Sequence, residues 1–100
     1  MHYRVVKINV NQGQMDEIVN CLDSISNRLY DLEGLQSIHC VKASDTEIYA
    51  FSCYETQEQV QKATAFQQEV FGGMAKFFSA PPKIIEGPQM WHWSPTKATI

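Results

Sequence analysis

The sequence predicts an α+β chain of βαββαβ order, a four-stranded antiparallel sheet with two helices on one face. Three observations carry that prediction. Apolar residues recur at spacings of three and four from Met15 to Leu32, which is helical periodicity. Two β-rich runs are separated only by Ala43-Ser44-Asp45-Thr46, and so short a connection demands an antiparallel hairpin. A second helical stripe then follows a capping-box pattern at Thr56. Strand, helix, strand, strand, helix, strand is the split βαβ arrangement, and right-handed crossovers put both helices on the same side of the sheet.

The first strand, Tyr3 to Val10, is rich in β-branched residues. Alternation groups Val6, Ile8 and Val10 on one face and Tyr3, Val5, Lys7 and Asn9 on the other. Asn11-Gln12-Gly13 punctuates the chain. The first helix spans Gln14 to Glu33, its stripe made by Met15, Ile18, Leu22, Ile25, Leu29 and Leu32. Asp16 and Glu17 suit the positive end of its dipole, and Gly34 can close it in the left-handed conformation. Leu35 to Lys42 and Glu47 to Tyr54 are the second and third strands, in a register that sets Cys40 roughly opposite Ala50. Thr56 caps the second helix while Gln59 reaches back. Val60, Ala63, Phe66, Val70 and Met74 form its buried stripe, Gly72-Gly73 ends or kinks it, and Phe77 and Phe78 sit on a short extra turn. Pro81-Pro82 stops any helix and leads into a fourth strand, Lys83 to Trp93, bent at Gly87-Pro88 and held at a sheet edge because proline cannot donate to a central ladder. Ser94 to Ile100 lacks a pattern. The expected organisation is one domain over 1–93 with a tail over 94–100.

Composition narrows the function classes. One hundred residues, 44% hydrophobic and 19% charged, describe a single folded domain rather than a disordered chain. A net charge of −3 with scattered Lys and Arg offers no field for a phosphate backbone, so nucleic acid is not an expected partner. No apolar run approaches the roughly eighteen residues of a membrane span, so no membrane is expected. Cys21, Cys40 and Cys53 are odd in number and lack chelating spacing; with Met1-His2-Tyr3-Arg4 running straight into a strand, reduced buried thiols in a cytoplasmic protein are the expectation. Helices on one face leave the other bare. Tyr3, Val5 and either Tyr49 with Phe51 or Ile48 with Ala50 occupy it, joined by Met90 or Trp91. Such a patch is large for a monomer, and burying it at roughly 25 cal/mol per Å² offsets a substantial association cost. A homodimer through the uncovered face is therefore expected.

Along nearly its whole length, through about Trp93, the chain resembles the dimeric α/β-barrel superfamily, within it the antibiotic-biosynthesis-monooxygenase-like group. The resemblance is carried by Asn11-Gln12-Gly13-Gln14, Leu32-Glu33-Gly34-Leu35, the step Phe51-Ser52-Cys53-Tyr54-Glu55-Thr56-Gln57-Glu58, and Ala80-Pro81-Pro82-Lys83-Ile84. These motifs encode turns, caps and core positions more than chemistry. The resemblance implies a ferredoxin-like subunit dimerised through its sheet into a dimeric α/β barrel, with a pocket between sheet and helices. Members include cofactor-independent oxygenases of aromatic polyketides, haem-degrading enzymes and isomerases. The haem-degrading branch has an asparagine where this chain has Lys7, a tryptophan near Ala63 and a histidine ligand near Met74 or Ala75. Tyr54 replaces the tryptophan that commonly ends the third strand. Haem degradation is thereby disfavoured.

The candidate chemical groups each have a plainer alternative. His39 shares a face with Ser37 and Val41; it can act as a base or be a hydrogen-bonded interface histidine. Lys7 and Asn9 can together hold an enolate-like oxygen or form a solvated or interfacial pair. Tyr30, Tyr49 and Tyr54 are phenolic donors or core residues. His92, between Trp91 and Trp93, lines a pocket mouth or points to solvent; His2 is expected to be exposed. Phe66, Phe71, Phe77 and Phe78 read as core and pocket wall. The cysteines have no evident positive neighbour and read as inert. The expected catalytic set is His39, Asn9 and Tyr49, and the expected ligand-binding set is Lys7, Phe51, Phe66, Trp91 and His92. Neither a metal nor a cofactor is expected. The expected function is a cofactor-independent oxygenase or related enzyme acting on a small aromatic or polyketide-like molecule; the alternative is a noncatalytic dimer that binds a small hydrophobic ligand or serves as an interaction module.

Overall fold

The computed structural model describes residues 1–96, so the end of the expected tail, residues 97–100, lies outside the described residues. The elements are β1 (His2–Asn9), α1 (Met15–Ile25), a 3-10 segment (Ser26–Asp31), β2 (Leu35–Ser44), β3 (Glu47–Tyr54), α2 (Gln57–Lys62), α3 (Thr64–Met74), a 3-10 turn (Ala75–Phe77) and β4 (Lys83–Pro88). The sheet order is β2-β3-β1-β4, antiparallel throughout. This is the expected βαββαβ fold, with β4 at an edge and Cys40 opposite Ala50.

Strand alternation decides what lies under the helices. Val6, Ile8 and Val10 are buried with Ile18 of α1, Ile48 of β3 and Met74 of α3 in the main core. Tyr54, Val60 and Ala63 form a second cluster. Tyr3, Val5, Lys7 and Asn9 are half-buried on the opposite face. They pair with Cys53, Phe51, Tyr49 and Glu47, so Tyr49 with Phe51, not Ile48 with Ala50, belongs to the open face.

Thr56 and Gln59 form the expected reciprocal capping box that starts α2. Gly34 takes the expected left-handed φ, +79°, but it does not close the helix: the helical segment ends on an extended Leu32, and Gly34 lies in a turn held by Leu35 N–H donating to the Leu32 carbonyl. Other local expectations are corrected. The first helix is α-helical only to Ile25: the Ser24 and Ser26 hydroxyls donate to the Cys21 and Asp23 carbonyls, a local competition that disfavours the regular ladder, and the chain tightens into 3-10 turns. The second helix is interrupted at Ala63, where the Val60 carbonyl accepts from Ala63 N–H, Thr64 Oγ1 and Arg4 Nη2. Gly72-Gly73 does not end α3, which continues to Met74. The fourth strand stops at Pro88 rather than Trp93. Pro88 lies opposite His2, and beyond a last bond from Gln89 N–H to the Met1 carbonyl (2.9 Å) β4 has run past the start of the strand it pairs with. Met90, Trp91 and Trp93 are accordingly exposed. His2 is buried rather than exposed, because it falls in phase with Val6 and Ile8.

Candidate functional site

A cavity of ≈ 90 Å³ lies between the helix-facing side of the sheet and α1 and α3. Its walls are almost wholly apolar: Val6 and Ile8 from β1, Leu22 from α1, Phe66, Phe71 and Met74 from α3. A larger hollow of ≈ 470 Å³ beside Phe71, Phe78, Pro81 and Pro82 is open to solvent and carries no charged lining group. The sheet–helix cavity is the less open of the two and the more apolar.

Polar groups gather at one end of it. Ser52 and Tyr54 of β3 and Gln67 of α3 line the cavity. Behind Gln67 stands Arg4, 6% exposed and opposite Ser52 in the sheet. Its Nη1 donates to Gln67 Oε1. Its Nη2 reaches the Val60 carbonyl at 3.3 Å, Thr64 Oγ1 at 3.0 Å and Glu86 Oε2 at 3.3 Å. Arg4 Nε and His2 Nε2 are both buried without a hydrogen-bond partner among the described residues. Burial pushes the Tyr54 phenol above its ordinary pKa, an effect the Arg4 charge partly offsets; Tyr54 is therefore a neutral donor at neutral pH. Cys40 also lines the cavity; desolvation on that side raises its thiol pKa, although the residue is exposed rather than buried as expected.

Of the residues expected at this site, Phe66 lines the cavity. Asn9, His39, Tyr49, Lys7 and Phe51 lie on the opposite face of the sheet, so their expected placement in the sheet–helix pocket is corrected. Strand alternation is the reason: the residues directed at the cavity are Val6, Ile8, Cys40, Ile48, Ala50 and Ser52. The structure does bring the misplaced five together on one surface. Lys7 pairs with Tyr49, and Phe51 sits between Val5 and His39; Lys7 Nζ also meets Glu47 Oε2 at 3.4 Å. Trp91 and His92 follow β4 and are exposed, away from the cavity. Arg4, Ser52 and Gln67 were not expected at the site. The signal for Arg4 was available, since it is in phase with Val6, Ile8 and Val10. Among the described residues no three His, Cys, Asp or Glu side chains gather closely enough to hold a metal ion, and no helix is long and apolar enough to cross a membrane.

No family model and no curated protein matches this sequence, but solved structures match its fold. A monooxygenase from the gene ActVA-Orf6 of Streptomyces coelicolor, in complex with nanaomycin D, superposes with a TM-score of 0.80 at 14% identity, covering 95% of this chain and 92% of that one. A protein of unknown function from Nitrosomonas europaea gives 0.78 at 15% identity, over 96% and 95% of the two chains. SnoaB, a cofactor-independent oxygenase from Streptomyces nogalater, gives 0.76 at 8% identity, over 91% and 94%. The class so defined is the ferredoxin-like α+β fold. Within that class the chain has the fold of the antibiotic-biosynthesis-monooxygenase-like proteins.

Proposed function

We propose that this chain is a cofactor-independent oxygenase of a small aromatic, polyketide-like molecule, working in the cytoplasm as a homodimer with residues 1–93 as the functional unit. The observation that carries the proposal is the apolar sheet–helix cavity with Ser52, Tyr54 and Gln67 at one end. Similarity of fold to an oxygenase that needs no cofactor supports it. At ≈ 90 Å³ the cavity is smaller than the roughly 150 Å³ that accommodates benzene, so even a one-ring ligand enters only as the helices and the half-buried Gln67 side chain move outward.

The substrate would enter already ionised, the proton of its activated ring CH2 given to bulk water, and the resulting carbanion reduces O2 directly. A C–O bond forms, the O–O bond breaks, one oxygen stays as the new carbonyl and the other leaves as water: CH2 + O2 → C=O + H2O. Tyr54, neutral because burial raises its pKa, is suited to give a proton or hydrogen bond to the departing oxygen. The apolar walls keep the carbanion from solvent. Asn9, His39, Tyr49, Lys7 and Phe51 act in this proposal at the face covered by the second subunit, with Trp91 and His92 beside its rim.

Oxygen uptake by the purified chain, with no flavin or metal added, tests this on electron-rich one-ring phenols, whose keto tautomer carries the ring CH2 and whose product is a quinone. One O2 consumed per carbonyl formed is expected. A second reading, a noncatalytic binder of a small hydrophobic ligand, is favoured by the Arg4 Nη1 and Nη2 donors being held by protein acceptors. Saturable binding with no oxygen uptake would establish that reading and remove the first.

A further inference from the structure

We infer that Arg4 and Gln67 make the polar end of the cavity selective for anions: an ionised oxygen on a one-ring ligand displaces the Gln67 amide oxygen and takes the Arg4 Nη1 donor in its place. Resting on the cavity reading above, this adds the charge of the ligand and the residue that selects it.

A guanidinium 6% exposed is costly unless its charge is matched. Around Arg4 stand His2 on β1, Tyr54 on β3, Glu86 on β4, Thr64 and Gln67 on α3, and the Val60 carbonyl on α2. Glu86 is the carboxylate that touches it, through one 3.3 Å contact from a side chain one-third exposed, not the paired two-bond fork that binds arginine best. The remaining acceptors are neutral. Arg4 Nε and, one pleat along the same face, His2 Nε2 have no hydrogen-bond partner among the described residues. The Arg4 charge thus rests on one partly exposed carboxylate and neutral oxygens.

Gln67 connects that charge to the cavity. It lines the cavity and accepts from Arg4 Nη1, and it is itself only half-buried, so its amide can swing aside. An ionised oxygen forms hydrogen bonds roughly twice as strong as a neutral amide's, which favours the exchange. Ser52, opposite Arg4 in the sheet, lines the cavity floor beside the same point.

Three probes of similar size separate this from an Arg4 that merely ties α2 and α3 to the sheet: 4-nitrophenol, 4-nitrobenzoate and uncharged 4-nitroanisole, each titrated against the full chain. Bound 4-nitrophenol, whose two ionisation states differ in absorbance, is expected to ionise about one pH unit below the free dye, a tenfold preference for the phenolate. Gln67→Met, which removes the competing acceptor, should tighten both anions on the order of tenfold and leave 4-nitroanisole unchanged. Arg4→Met should abolish the shift while 4-nitroanisole still binds; if that variant does not fold, Gln67→Met decides alone. Whichever anion binds more tightly, carboxylate or phenolate, names the source of the charge, and either result supports the inference. Ionisation of the bound dye at the same or a higher pH than the free dye, or anion affinities untouched by Gln67→Met, would overturn it while 4-nitroanisole binding leaves the cavity reading standing. Failure of all three probes to bind removes both.

Discussion

Tyr54 carries two consequences at the scale of a single residue. If it supplies the proton or hydrogen bond to the leaving oxygen, Tyr54→Phe should lower turnover about a hundredfold with little change in KM, read by oxygen uptake. The same phenol should mark the alkaline limit of stability. Its proton is held more tightly in the folded chain than in the unfolded one, so the unfolded state loses its proton first. The Tyr54 contribution to stability is therefore intact below pH 10 and is lost as pH rises past it. Urea midpoints across that range should fall less steeply in Tyr54→Phe. Gly34 is a second position where one atom matters. Its φ of +79° disfavours any side chain, and an added Cβ would run into the Gln59 amide, which is busy accepting from Thr56 N–H. Gly34→Ala should cost about 2 kcal/mol, combining left-handed strain with a damaged cap; a denaturant titration measures it, and a neutral substitution would contradict the account.

Local elements divide into those with local causes and those without. The capping box at Thr56 needs only residues three apart, and Thr56→Ala should lose about 1 kcal/mol of stability with α2 still formed, seen as a lower midpoint at unchanged slope. The hairpin register and the left-handed conformation of Gly34 were legible for the same reason: nearby residues determine them. The break at Ala63 was not, because one of its causes is Arg4, far away in sequence, donating to the Val60 carbonyl. The end of β4 was not legible either, since it depends on where its partner β1 begins rather than on Met90, Trp91 or Trp93. The site shows the same division. Alternation correctly grouped Lys7 with Asn9 and His39 with Val41, yet the cavity belongs to the groups in phase with Val6. Arg4 and His2 were in that phase all along; their polarity concealed it.

For the whole molecule, the uncovered sheet face makes the decisive test. Ile85, Val5, Phe51 and His39 form one row across all four strands, and Ile85 is 69% exposed. Helices occupy the other side, so a second copy of the same face is the surface best suited to cover this row. A stable pair needs roughly 800 Å² buried on each partner, and a four-stranded face is of that order. Sedimentation should therefore give twice the 11.4 kDa chain mass at micromolar concentration. Ile85→Glu places a carboxylate in the centre of the contact, where an unpaired buried charge costs several kcal/mol, and should sediment as a monomer. Val19→Glu, on the exposed outer side of α1, adds the same charge away from the sheet and should leave the dimer intact. If both variants remain dimeric, the copies meet elsewhere; if the unaltered chain sediments at 11.4 kDa, the row is a solvent face and the dimer proposal fails.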